Sequence, residues 1–164
     1  MGRVLTLDEL VRQLSAARAR GARVVLANGL FDLVHVGHLR YLAAARREGD
    51  VLVVAVNGDG SARALKGPGR PLVPAGERAE LVAGFACVDY VLLWDEESMD
   101  GLLRRLRPDV HAKGTDYGTP AEVPEHATMR ELGGRTVLVG DPKNHASRDL
   151  IARVLAAFGA RGGP

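Results

Sequence analysis

The run Val51-Leu52-Val53-Val54-Ala55-Val56 contains no polar residue. A strand with one face in water alternates apolar and polar side chains. A run this continuous belongs to a strand covered on both faces, as in a parallel sheet. Four further runs of similar length follow the same logic: Arg23-Val24-Val25-Leu26-Ala27, Asp89-Tyr90-Val91-Leu92-Leu93-Trp94, Asp109-Val110-His111-Ala112-Lys113 and Arg135-Thr136-Val137-Leu138-Val139. Segments with helical apolar spacing lie between them, at residues 39–47, 74–85, 98–106, 124–132 and 147–158. Strands alternating with helices imply an α/β domain whose crossovers are right-handed. The expected fold is a Rossmann-like, doubly wound five-stranded parallel sheet in the order 3-2-1-4-5. An N-terminal helix, residues 7–20, is added outside it, opened by the capping box Thr6-Leu7-Asp8-Glu9 and stopped by Gly21. Asn57-Gly58-Asp59-Gly60 reads as a polar loop. Residues 64–71, with glycines and prolines around Lys66 and Arg70, read as a mobile loop able to close over a ligand.

A chain of 164 residues suffices for one domain with one core, taken here as 1–164 with its catalytic unit at about 22–158. Hydrophobic residues make up 46%, which excludes a disordered chain, and a net charge of +2 argues for neither nucleic acid nor membrane. The lone cysteine, Cys87, cannot form an internal disulfide and fits a reducing cytoplasm. Neither a membrane-length apolar run nor a signal-peptide core is present.

The loop after the first strand is Asn28-Gly29-Leu30-Phe31-Asp32-Leu33-Val34-His35-Val36-Gly37-His38, and a helix follows it directly. Unpaired backbone N–H groups and the positive end of the helix dipole gather at such a turn and make an anion site. His35 and His38, three apart, share a face in the first helical turn. Gly37 leaves room between them for a ligand to approach the backbone. Two imidazoles, N–H groups and a gap suit a polyphosphate, although a bare pair at this spacing is more often ordinary polar or a metal ligand. In the order 3-2-1-4-5 the ligand crevice lies between strands one and four, so Lys113-Gly114-Thr115-Asp116-Tyr117 should face the histidine loop. There is no obvious Ser–His–Asp or Cys–His constellation, and no clustered metal-ligand spacing beyond the histidine pair.

The string from Gly29 to His38 resembles the G-x-F-D-x-x-H-x-G-H signature of the HxGH nucleotidyltransferases. That superfamily includes cytidylyltransferases, phosphopantetheine adenylyltransferase and heptose 1-phosphate adenylyltransferases. Gly29, Phe31, Asp32, His35, Gly37 and His38 match it. Lys113 to Tyr117 resembles the K-G-G-D-Y segment of the heptose-phosphate adenylyltransferases, and Arg70-Pro71-Leu72-Val73-Pro74 resembles their R-P-V-N-P. The resemblance spans about residues 5–155. It is to the adenylyltransferase half of the bifunctional heptose enzyme, expected here to stand alone without a sugar-kinase domain.

The resemblance implies roles. His35 and His38 would bind the triphosphate and stabilise the transition state at its α-phosphorus. Lys66 and Arg78 would complete the catalytic set at the phosphates. Asn28, Gly29, Leu30, Phe31, Gly37 and Lys113 would hold the nucleotide. Asp32, Asn57, Gly114, Asp116 and Tyr117 would serve the acceptor. Asp32 reads equally as a helix cap, and Asp59 as a turn residue. The chain departs from its relatives where they open the last helix with serine-threonine-threonine. Here stand Ala146, Ser147 and Arg148, one hydroxyl and one guanidinium. Asn144 and His145, just before, are placed for ribose or base. His111 and His126 carry no motif and read as structural or surface residues.

The implied reaction moves AMP from ATP to a sugar 1-phosphate, a heptose 1-phosphate above all, and releases pyrophosphate. Mg²⁺ would travel on the phosphates, held by their oxygens and water rather than by protein ligands. One alternative is cytidylyl transfer from CTP to glycerol 3-phosphate or a similar alcohol phosphate. Another, of a different class, is a non-catalytic nucleotide-binding regulatory module, which only the altered serine-threonine run favours. The expected partners are ATP or CTP, a small phosphorylated substrate and a second copy in a homodimer, with neither nucleic acid nor membrane.

Overall fold

The computed structural model describes residues 1–141 and 146–159. Among these the strands are β1 (Arg3–Val4), β2 (Val24–Gly29), β3 (Val51–Asn57), β4 (Tyr90–Trp94), β5 (Val110–Gly114) and β6 (Arg135–Val139). The helices are α1 (Leu7–Arg18), α2 (Val36–Arg46), α3 (Asp59–Lys66), α4 (Ala75–Ala83), α5 (Asp100–Leu106), α6 (His126–Glu131) and α7 (Ser147–Phe158). A short 3-10 turn, Pro120–Glu122, precedes α6.

All the strand pairings are parallel, in the order β1-β4-β3-β2-β5-β6. The five expected strands take the expected order. The sheet has six strands, however, because Arg3 and Val4 add an edge beside β4, pairing with Tyr90 and Val91. Two residues carry no readable periodicity, which is why this strand escapes a sequence reading.

Alternate residues of β2 and β3 enter opposite cores. Val25, Ala27, Leu52, Val54 and Val56 pack with Leu42 and Ala45 of α2 and Ala79 and Val82 of α4. Val24, Leu26, Val53 and Ala55 pack with Leu10 and Leu14 of α1, Leu102, Leu103 and Leu106 of α5, and Met129 of α6. The apolar run from 51 to 56 is therefore covered on both sides.

Asn57 ends β3, while the end of the expected polar loop, Asp59 and Gly60, and the start of the expected mobile loop, residues 64–66, belong instead to one helix, α3. Its N-terminal cap comes from a distant residue: the Asp95 carboxylate accepts the Ser61 N–H at 2.8 Å. That carboxylate lies so close to Gly58 that a β-carbon there would collide with it. A cap supplied from across the sheet leaves no local signal.

Candidate active site

The site forms where β2 and β5, neighbours in the sheet, end on the same side. A cavity of about 590 Å³ opens there. Its walls are the turn after β2, the loop after β5, the ends of β3 and α3, and the first residues of α7.

His35 and His38 start α2. His35 is its N-cap, and the two form a reciprocal capping box in which Nδ1 of His35 accepts the Gly37 N–H at 3.1 Å and Nδ1 of His38 accepts the His35 N–H at 3.2 Å. An Nδ1 that accepts carries no proton, so each neutral ring holds its proton on Nε2. The ring centroids are 4.0 Å apart, and the Phe31 ring lies 5.3 Å from that of His38. Burial, then the His35 ring beside it, pulls His38 down to about 4, so at neutral pH it is an uncharged N–H donor.

The turn is strained. Phe31 and Leu33 hold φ of 54° and 51°, a left-handed conformation that costs non-glycine residues about 1–3 kcal/mol each. Asp32, between them and 2% exposed, offsets this. Its carboxylate accepts the Arg70 Nε–H at 2.7 Å and the backbone N–H groups of Leu72 and Val73 at 3.0 Å. Burial alone would push its carboxyl up, but these donors outweigh it and hold the group below its ordinary value. The Ser147 hydroxyl donates to the Asp32 carbonyl at 2.7 Å and so ties α7 to the turn. Asp32 borders the cavity, yet its side chain is committed to the segment at residues 70–73; it acts there as a structural tie rather than as an acceptor ligand.

Arg78 is the clearest correction to the sequence reading. It lies on α4, is 0% exposed and does not line the cavity. Its guanidinium donates to the Leu30 carbonyl at 2.5 Å, to the Val73 carbonyl at 2.8 Å and to the Asp59 carboxylate at 2.7 Å. A fork with three protein acceptors and no exposed surface does not reach a phosphate. Arg78 instead joins the signature turn, the segment after α3 and α3 itself. Asp59 thereby becomes an ion-pair partner rather than a turn residue.

The remaining expected residues line the cavity: Asn28, Gly29, Leu30, Phe31 and Gly37 from the turn, Asn57 from β3, Lys66 from α3, and Lys113, Gly114, Asp116 and Tyr117 from β5 and its loop, with Ser147 and Arg148 from α7. Asn57 is buried and donates to the Ser61 hydroxyl. Lys113 Nζ lies 3.3 Å from Asn28 Oδ1, 3.6 Å from Glu125 Oε2 and 5.7 Å from the Tyr117 ring centroid. Burial draws its ammonium down while Glu125 opposes this. Arg148 is exposed, with its Nε 3.6 Å from the Asp149 carboxylate. Asn144 and His145 lie outside the described residues.

Sequence reasoning missed three contributors. Tyr41 borders the cavity and donates to the Ala112 carbonyl at 2.8 Å, joining α2 to β5. Arg70, expected only within the mobile loop and the 70–74 motif and given no role of its own, lines the cavity while held by Asp32. His111, 0% exposed, places its Nε2 3.0 Å from Asn28 Oδ1. A histidine inside an otherwise apolar run was the available signal. The described residues hold no group of three or more His, Cys, Asp or Glu poised for a metal ion, and no helix long and apolar enough to cross a membrane.

A pair of neutral imidazole donors, a helix N-terminus and nearby cations surround a space able to hold several linked anionic groups. Such an arrangement suits phosphates and charge that develops on them.

The model of the cytidylyltransferase-like family matches residues 26–153. Bifunctional protein HldE of Geobacter metallireducens is 41% identical over 157 residues, 96% of this chain and 32% of that protein. HldE of Syntrophotalea carbinolica is 45% identical over 155 residues, covering 94% and 31%. HldE of Streptomyces coelicolor is 48% identical over 144 residues, covering 88% and 30%. The chain thus spans about a third of the length of these curated relatives. Among solved structures, the lipopolysaccharide core biosynthesis protein of Thermoplasma volcanium superposes with a TM-score of 0.65 at 29% identity, over 75% of this chain and 100% of the other.

Proposed function

The chain belongs to the cytidylyltransferase-like family, and from that premise we propose that it transfers AMP from ATP to a sugar 1-phosphate, a heptose 1-phosphate by preference. The observation that carries the reading is the His35–His38 pair, 4.0 Å apart at the start of α2, in one cavity with Lys113. The resemblance of the segments at 70–74 and 113–117 to heptose-phosphate adenylyltransferases supports the sugar. So does similarity to a lipopolysaccharide core biosynthesis protein, since such a core is built of sugars.

In this reaction an oxygen of the acceptor phosphate attacks the α-phosphorus of ATP. The bond to the bridging oxygen breaks, and pyrophosphate leaves with the electron pair. The attacking oxygen is already anionic, so no general base is needed. The protein's task is to hold two anions in line and offset charge at the α-phosphoryl group and on the leaving group. The Nε2–H groups of His35 and His38 and the N-terminus of α2 supply donors there. Lys66 and Arg148 supply cations at the rim. The nucleotide enters as its Mg²⁺ complex, the ion carried by phosphate oxygens and water.

The test is pyrophosphate release measured over four nucleoside triphosphates and a panel of phosphorylated sugars and alcohols. Turnover with ATP and a heptose 1-phosphate is expected. Turnover only with CTP and an alcohol phosphate would move the assignment to a cytidylyltransferase. Nucleotide binding without turnover on any pair would make the chain a regulatory binding module.

A further inference from the structure

We propose that His111 is a positioning residue: together with Lys113 it locks the Asn28 carboxamide with its oxygen turned into the protein, so that the amide NH₂ is what Asn28 offers to an oxygen atom of the ligand. The proposal rests on the functional reading above for the identity of that ligand, a nucleotide or its phosphorylated acceptor.

β5 lies beside β2 with His111 opposite Leu26, so alternation puts His111, Lys113 and Asn28 on the same face of the sheet. Two groups then meet Asn28 Oδ1, His111 Nε2 at 3.0 Å and the Lys113 ammonium at 3.3 Å. An ammonium only donates, so the atom it meets is the carbonyl oxygen of the amide. That oxygen only accepts, so His111 Nε2 carries the proton. With its oxygen held by two donors, the amide cannot turn over. Asn28 lines the cavity, and its remaining polar atom is the NH₂. A site fixed as a donor rejects a ligand that presents a donor at the same point.

His111 is a costly way to fill this layer of the core. It is 0% exposed, with the charges of Lys113 and Asp100 acting on it in opposite senses, and its Nδ1 makes no hydrogen bond among the described residues. Burial, and then the Lys113 charge, pull its pKa to about 3, so the ring stays neutral. An aliphatic side chain would fill the space without burying an unpartnered nitrogen. The function of the imidazole is thus the one bond it does make, to Asn28.

A double-mutant cycle with a parallel stability measurement tests this. His111→Leu is expected to keep or raise the thermal midpoint while lowering kcat/KM for pyrophosphate release about tenfold, the loss of one oriented donor. In an Asn28→Ala background the same change is expected to cost less than about twofold. His111→Gln, whose amide can still donate to Oδ1, is expected to recover most of the rate. Equal losses in both backgrounds, or a rate that merely follows a fall in midpoint, would overturn the proposal. If wild-type protein turns over no substrate pair, the functional reading fails on its own. The ¹⁵N-resolved imidazole signals then decide: a neutral Nε2–H tautomer for His111 from pH 5 to 8 supports the lock, and an Nδ1–H tautomer or imidazolium in that range refutes it.

Discussion

At the scale of residues, His35 and His38 do two things with two nitrogens each. Nδ1 of each closes the capping box of α2. The proton on Nε2 is thereby fixed where a phosphate would sit. The two roles separate by substitution. His35→Asn keeps an N-cap acceptor and His38→Gln keeps a capping-box partner, so both variants are expected to fold with midpoints near wild type. Each is expected to lose about 10²–10³ in kcat, as removal of a transition-state donor does. Near wild-type rates in both would remove the histidines from the reaction. Proton linkage gives an independent check. Burial and the His35 ring hold His38 near 4, against an ordinary 6.5. Between those values the unfolded chain binds a proton that the folded chain refuses, so the stability contributed by neutral His38 is complete above about 6.5 and is lost as pH falls toward 4. A triphosphate beside the ring favours the imidazolium. ATP binding at pH 6 is therefore expected to take up protons, read as a binding enthalpy that varies with the ionisation enthalpy of the buffer. His38→Gln is expected to remove most of that variation.

At the scale of elements, two charged side chains join pieces far apart in sequence. Asp32 holds the segment at 70–73 against a strained turn, and Arg78 holds that turn, the same segment and α3. For Asp32 the folded carboxyl lies below its ordinary 3.8. Its contribution is complete above that value and fades as pH falls through the lower, folded one. Asp32→Asn is expected to lower stability by about 3 kcal/mol at neutral pH, by analogy with breaking a buried ion pair. The deficit should shrink in acid, which chemical denaturation at pH 7 and pH 3 would measure. The histidine pair, the cavity and the strand order were legible because each follows from local pattern and from the rule that ligands sit where strand order reverses. Arg78 was not legible in the same way. A helical arginine near a phosphate motif and a helical arginine buried as a clasp have the same sequence, and only the positions of Leu30, Val73 and Asp59 tell them apart. α3 failed for a related reason: its local residues spell a turn, and its cap, Asp95, is thirty-four residues from the N–H it receives.

At the scale of the whole molecule, the cavity joins parts that the sheet alone holds only by their roots. The turn after β2, the loop after β5, the end of α3 and the start of α7 meet across it. A ligand filling this space contacts all four at once and binds only the folded chain. It must then stabilise the molecule as a unit, by an amount set by concentration and affinity. At one hundred times Kd the gain is about 2.7 kcal/mol, which for a chain of this size raises the thermal midpoint by about 5–10 °C. ATP with Mg²⁺ is expected to give a shift of that order in wild-type protein, and CTP a smaller one at equal concentration. His35→Asn, His38→Gln and Lys113→Ala are each expected to reduce it, because they remove donors from different walls of the same space. Arg148→Ala places the departure at the last helix on the same scale. If the guanidinium stands in for the missing hydroxyls, its removal halves the shift or more; if its partner is only Asp149, the shift stays as in wild type. A shift that is equal for every nucleotide and indifferent to the histidines would mean that phosphate binds elsewhere, and the cavity between β2 and β5 would lose its claim to be the active site.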